Sequence, residues 1–415
     1  AWNAHEERWW APTFGKAWTY ASLKGSYSLT ADRGPATNSL AVFTSFTPWR
    51  PSTSANESAI ILAALENSEL TYEKKHELNI GVAFGFLDNR INVEFDWYRR
   101  NNFDLIGYTQ TMGVGGVTTK LANDATMEST GCEFTISTTN IKTKDFKWTT
   151  DWIFGWAENT ITKLDSRSQV YELVNGFGRT EGRPIGALYS IPFAGLTEEG
   201  LPTFYIDAEH TQIAGPGNYA DIYFQEYENI DYLKYEGTID PKITGSFGNT
   251  FSWKGLKLNV FFTYSFGNVL RLDDLCPVYS SDYSDLTASM KEMKNRWMVP
   301  GDENVTTIPA IPTVRQMREI DALDNAYSAY NYSSERIAKG DFIRLKELSL
   351  SYDLPKKYFE GQKAVSSFGV KLSATNLWLA YADKKLNGRD PEYYNTGGVS
   401  SPTPRQFTLT VKLGF

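Results

Sequence analysis

Along stretch after stretch of this chain every second residue is apolar, and the clearest of these runs sets the fold class. From 75 to 87, Leu78, Ile80, Val82, Phe84 and Phe86 alternate with Glu77, Asn79, Gly81, Ala83 and Gly85, and Asp88-Asn89 follow with turn chemistry. The alternation resumes at once with Ile91, Val93, Phe95 and Trp97 on one face and Asn92, Glu94, Asp96 and Tyr98 on the other. Successive side chains of a strand point to opposite faces, so each run is an amphipathic strand and the pair is a hairpin. The same pattern predicts a first strand over 19–31, with Ala21, Leu23, Tyr27 and Leu29 against Ser22, Lys24, Ser26 and Ser28, and further strands over 129–141 and 146–163. Two more flank Lys254-Gly255, carrying Ile243, Phe247, Phe251 and Trp253 before the turn and Leu256, Leu258, Val260, Phe262, Tyr264 and Phe266 after it. Runs over 340–354 and 365–379 come next, and the chain closes on Phe407, Leu409, Val411, Leu413 and Phe415 with polar or small residues between. This makes about ten strands, each longer than the ~5–6 residues usual in globular proteins.

The connections alternate in length, about three to twelve residues at one end and about 25 to 75 at the other, which is the asymmetry of an outer-membrane barrel with short periplasmic turns and long extracellular loops. The turns at 88–90, 142–145, 254–255 and 355–364 are then periplasmic, and 32–72, 104–127, 165–240, 273–338 and 380–403 are extracellular. The fold class this predicts is all-β, a transmembrane antiparallel up-and-down β-barrel. A soluble sheet would need charges on its outer face where this chain places Val82, Phe84, Val93, Phe95, Val260 and Phe262, so these six are expected to face lipid. Glu94, Asp96, Lys257, Asn259, Lys371 and Ser373 are expected to line a wet interior. Trp97, Trp156, Trp253 and Phe86 fall near expected strand ends, where an interfacial aromatic girdle belongs. A soluble propeller or stacked sandwich, which also alternates, is the competing fold.

Composition sharpens this picture. The chain's 415 residues include 24 Tyr, 24 Phe, 12 Trp and 32 Gly, which suits many strands and turns. A net charge of -8 and a pI near 5.2 argue against a nucleic-acid partner. The mean hydropathy of -0.39 looks soluble, but a barrel averages lipid-facing and lumen-facing positions. No run of roughly 18 apolar residues, the length of a membrane-crossing helix, is present. Cys132 and Cys276 are far apart with no C-x-x-C pair, which argues against a disulfide scaffold and a structural zinc site. The first residues, Ala1 to Glu7, show neither an initiator Met nor a signal-peptide pattern.

Candidate chemistry is sparse. His5, His76 and His210 are too scattered for a Ser-His-Asp site, and Gly113-Val114-Gly115-Gly116 lacks the Lys-Ser/Thr of a phosphate loop. No catalytic residue, metal or cofactor is therefore expected. The acidic residues Asp273, Asp274, Asp282 and Asp285 lack EF-hand spacing, and a solvated loop is the plainer reading. Tyr279, Tyr283, Tyr327, Tyr330 and Tyr332 share their loop with these carboxylates. Flat aromatic faces beside hydrogen-bond acceptors suit sugars or peptides, so Asp273, Asp274, Asp282 and the five tyrosines are the ligand-contacting or lid-contacting candidates. Packing of the tyrosines within the loop is the alternative for each. A soluble carbohydrate-binding or hydrolytic β-protein stays open as well, because sequence does not give the carboxylate separation that glycoside hydrolysis requires.

Several segments carry a more specific likeness. Ala1-Trp2-Asn3 with Glu6-Glu7, Leu23-Lys24-Gly25-Ser26-Tyr27-Ser28, Asn89-Arg90-Ile91-Asn92 and Met127 to Phe134 occur in order, with Cys132 where another apolar residue is usual. Gly182-Arg183-Pro184-Ile185-Gly186, Asp240-Pro241-Lys242, Phe342-Ile343-Arg344-Leu345-Lys346 and Leu350-Ser351-Tyr352 follow, then Thr375-Asn376-Leu377, Asp390-Pro391-Glu392 and Pro402-Thr403-Pro404-Arg405. In this series the whole of 1–415 resembles the C-terminal part of a SusC-like (SusC/RagA family) TonB-dependent transporter of the Bacteroidetes outer membrane. The resemblance implies a full barrel of roughly 22 strands, with the plug domain and N-terminal strands expected on a preceding stretch. It implies energy-dependent import of oligosaccharides or peptides beneath a SusD-like lipoprotein lid, powered by the TonB complex through the plug, and it admits a dimer of transporter–lid pairs. It also makes Phe415 the assembly signal for the outer membrane. A passive porin is the alternative with the same wall.

Overall fold

The computed structural model describes residues 1–414 apart from 16, 34–38, 48–57, 114–115, 276–290, 356–357, 359–364 and 395–401. Its main element is one antiparallel sheet of ten strands joined in chain order. They are Trp18–Asp32, Glu73–Phe86, Ile91–Gln110, Thr119–Lys142, Phe146–Leu164, Ile243–Trp253, Leu256–Phe266, Phe342–Asp353, Ser367–Ala382 and Gln406–Gly414. Each pairs with the next, which is the meander that the alternation predicts. The third and fourth strands run well past their predicted ends, so most of 104–127 is a projecting β-arm and not a loop. A bulge hides this from the pattern: Asp104 takes a left-handed φ of 57°, and the register slips between Asn102 and Leu105, breaking the period of two.

Register sorts the side chains into two contrasting faces. Leu23, Val82, Phe95, Phe134 and Phe154 stand opposite one another across five strands, with Phe84, Val93, Ile136 and Trp152 in the next row. Val260 and Phe262 share that face, set between Asn249 and Phe247 on one neighbour and Leu348 and Leu345 on the other. One row further on lie Ile80, Trp97, Cys132, Trp156 and Ile243. Immediately beyond it the same face turns ionic, where Arg99 donates to Glu128 at 2.8 Å and Lys242 to Glu158 at 2.5 Å. Trp97 therefore sits at this change of polarity and not at a strand end. At the opposite limit, beside the short turns, Trp148 stacks on Phe251 at 5.6 Å and Trp18 packs against Phe84 and Phe86. The other face pairs polar with polar or small residues, as in Asp96 with Glu133 and Gly81, Lys257 with Ser351, and Ser373 with Ser349 and Thr408.

Close approach fixes the register at two glycines. The Tyr98 ring lies over Gly131, where an added Cβ would fall 2.4 Å from its hydroxyl. The Tyr264 ring covers Gly245 in the same way, so that its hydroxyl donates to the Ile153 carbonyl at 2.9 Å and accepts from Trp152 Nε1 at 2.9 Å. Among the described residues the sheet ends in two edge strands, Trp18–Asp32 and Gln406–Gly414, the first touched by a short bridge in which Trp2 exchanges backbone bonds with Leu23 at 2.7 and 2.9 Å.

The long stretches 165–240 and 273–338, predicted as open loops, instead share a core of their own. Val170, Leu173, Val174, Ile191, Leu201, Phe204, Tyr219, Ile222, Ala326 and Ala329 are almost wholly buried there. Two of its helices show the helical period in sequence: Val170, Leu173 and Val174 on Val170–Asn175, and Leu323, Ala326, Tyr327 and Tyr330 on Leu323–Asn331. A capping box at Thr313 and Gln316 starts the helix Val314–Glu319. This subdomain is continuous with the wall. Val269–Arg271 follows the strand Leu256–Phe266, pairs with Ile337–Lys339, and that segment leads into Phe342–Asp353.

Candidate functional site

The residues singled out from sequence go to different places. Tyr327 and Tyr330 are 3% and 1% exposed, so they belong to the core of the subdomain and not to a ligand surface. Tyr327 donates to the Ala310 carbonyl at 2.6 Å, and the Tyr330 ring meets Phe193 edge-on at 5.8 Å. Helical spacing puts both on the buried stripe of Leu323–Asn331, and that stripe outweighs their polar tips. Tyr327→Phe is accordingly expected to destabilise the subdomain by about 1–3 kcal/mol, because it leaves a buried carbonyl without its donor, and to leave ligand affinity unchanged. A thermal melt read alongside ligand titration checks both halves.

Tyr332 lies at the rim of the same core, edge-on to Tyr171 and Phe224, with the Arg271 guanidinium 5.4 Å from its ring centre. Arg271 donates to the carbonyls of Val174, Asn331 and Tyr189, and desolvation pulls it down to about 10, so it remains a cation at neutral pH. Asp274 is exposed just beyond the strand Val269–Arg271. Tyr279, Asp282, Tyr283 and Phe415 lie outside the described residues. Among the described residues, no three His, Cys, Asp or Glu side chains are grouped as a metal ion would need.

Asp273 does reach a built site, through partners that sequence reasoning left without a role. The connection after Ser367–Ala382 crosses the polar face of the wall as a strap formed by two short turns, Lys384–Leu386 and Pro391–Tyr393. Leu386, 1% exposed, plugs it into a small apolar cluster with Leu270, Leu272 and Ala338. Asp273 accepts from Arg389 of the strap, and its backbone N–H donates to the Tyr394 hydroxyl at 3.0 Å. Glu292 bridges the two parts, accepting from Arg336 at 2.6 Å and from Asn387 at 3.0 Å.

The strap's other anchor is on the wall. Arg344 pairs with Asp390 and lies 3.2 Å from Glu392, and the side chains of Arg344 and Asp390 are 6% and 10% exposed. Asp390 also caps its turn by accepting from the Glu392 N–H, with Pro391 preset at the first position. Wall bulges aim the arginine. The register slips between Leu345 and Glu347, and opposite this Asn376 adopts a left-handed φ of 52°, so Arg344 lands on the polar face across from Leu379. The signal in sequence was a lone Arg inside Phe342-Ile343-Arg344-Leu345-Lys346 followed by Asp390-Pro391-Glu392, but a pairing 46 residues apart is not encoded by local spacing.

Several known proteins are similar to this chain. No family model matches it. A TonB-dependent receptor of Formosa agariphila is 26% identical over 385 residues, which is 86% of this chain and 35% of that protein. Another from the same organism is 25% identical over 380 residues, again 86% of this chain and 36% of that protein. The TonB-dependent receptor SusC of Bacteroides thetaiotaomicron is 36% identical over 99 residues, 24% of this chain and 10% of that protein. Among solved structures, the RagAB peptide transporter superposes with a TM-score of 0.72 at 23% identity, over 98% of this chain and 42% of that one. RagAB in its open-open state gives 0.71 at 23%, over 96% and 40%. The ten-stranded sheet is thus of the outer-membrane barrel type, and the resemblance seen in the motifs extends along most of the chain. The chain spans about a third of the length of the full-length relatives it matches.

Proposed function

We propose that this chain, similar along most of its length to TonB-dependent receptors, forms part of the wall and extracellular surface of an energy-dependent outer-membrane importer of large nutrients. The observation that carries this reading is the face running from Leu23 to Phe154, apolar between two aromatic rows and ionic immediately beyond one of them. An outward band about 25 Å tall flanked by aromatic girdles is what lipid requires of a barrel. Val82, Phe84, Val93, Phe95, Val260 and Phe262 then face lipid, and the polar face with the strap lines the lumen. The wall acts without covalent chemistry. It holds a water-filled path open in lipid, and the folded extracellular subdomain gives a SusD-like lipoprotein lid a rigid surface on which to close. TonB would act through a plug domain carried by another part of the protein. Peptides are the first ligands to try, because RagAB is a peptide transporter, and oligosaccharides the second.

The test is uptake by cells producing the full-length protein. Ligand accumulation is expected to require TonB and a proton-motive force, and the purified protein is expected to bring a lipoprotein with it. Uptake that persists after the proton-motive force is collapsed would reassign the chain to a passive porin. Recovery of the protein in the soluble fraction would remove the membrane reading altogether.

A further inference from the structure

Four of the sequence motifs on which the likeness rests have no task in the transport reading, and they meet at one cavity. Arg344 and Asn376 come from two wall strands, Asp390 from the strap and Arg405 from just before the last strand, and all four line a recess of about 570 Å³ on the polar face. Its floor is the buried Arg344 and Asp390 pair together with Asn376. The Asn376 side-chain carbonyl is buried and accepts no hydrogen bond. Tyr393 and Tyr394 stand at the side, their hydroxyls already engaged by Thr403 and by Arg389, which leaves the rings as flat walls.

Charge decides what else the recess takes. Arg344 is matched by Asp390, and Arg389 by Asp273. Arg405, exposed at the mouth, has no ion pair among the described residues. The recess thus has one uncompensated cation at its entrance and aromatic rings along its side.

We propose that this recess is a subsite for the carboxylate-bearing end of an imported ligand. The carboxylate pairs with Arg405, and the group that bears it lies against the tyrosine rings. Guanidinium and carboxylate fit one another's geometry, and the partly desolvated setting strengthens the pair. The free C-terminus of a peptide and a uronic-acid residue of an oligosaccharide both present this chemistry. The inference rests on the reading that the polar face is a transport lumen.

Binding to the detergent-purified full-length protein is measured by calorimetry with two matched pairs of probes: a short peptide acid and its C-terminal amide, and an oligogalacturonate and its methyl ester. At least one acid is expected to bind tenfold or more tightly than its neutral partner, and whichever pair shows the difference names the source. Arg405→Gln, an exposed substitution, is expected to abolish that difference and leave the affinity of the neutral form unchanged. Asn376→Asp keeps a residue tolerant of the left-handed backbone but adds a negative charge, and it is expected to weaken acid binding by a similar factor. Equal affinity for acid and neutral forms in both pairs, or a preference that survives Arg405→Gln, overturns the subsite. Failure of the transport reading is seen separately, as acid-selective binding by a protein whose cells show no energy-dependent uptake.

Discussion

Val82→Arg is expected to cost about 2–4 kcal/mol of barrel stability if its row lies near the bilayer midplane. Val82 lies between Leu23 and Phe95, with Phe84 toward the short turn and Ile80 toward the ionic limit. A guanidinium there would meet apolar register partners, Leu23 and Phe95, and not carboxylates like those that pair with Arg99 and Lys242 at the limit itself. Arginine must then either stay unpaired in hydrocarbon or drag water into it. The readout is the folded fraction, scored as the mobility difference between heated and unheated protein on a gel. Val82→Leu, which changes size without adding charge, should preserve that difference. If Val82→Arg assembled as well as the parent protein, this face would not be in lipid.

Arg344→Ala carries the second large effect, on the strap and not on the wall. Removing the guanidinium leaves the Asp390 carboxylate buried without its cation, a loss of about 3–5 kcal/mol where a buried pair is broken from one side. The strap should then detach, and 384–394 should become open to proteolysis while the heat-dependent mobility of the wall is retained. Replacing both partners by apolar residues, Arg344→Met with Asp390→Leu, should restore much of the melting point, since a buried pair exchanged for packed hydrocarbon is often nearly neutral. A strap that stayed protected in Arg344→Ala would show that Leu386 and the contacts to Asp273 hold it without the wall anchor.

These two substitutions mark what could and could not be seen in the chain. Alternation alone assigns Val82 to its face, because the period of two is a local property and needs no partner to be recognised. The same is true of the order of the ten strands, since turns such as Asp88-Asn89 and Lys254-Gly255 force neighbours in sequence to be neighbours in space. Where the period broke, at the Asp104 bulge and at Asn376, the prediction stopped early or lost its register. The helical spacing of Leu323, Ala326, Tyr327 and Tyr330 is also legible, yet it lies inside a stretch expected as open loop, where the tyrosines are expected as ligand-facing aromatic rings and not as part of a buried stripe.

By itself, then, the sequence determined an alternating meander with one apolar face, short turns at one end and long connections at the other. Tertiary structure alone decided that two long connections share a core, that Asp273 meets Arg389 across 116 residues, and that Arg344, Asn376, Asp390 and Arg405 surround one recess. The division follows from range. Backbone pleat and turn chemistry act between near neighbours and leave a period in the chain. A buried ion pair or a shared core depends on where distant segments arrive, and no local pattern records that.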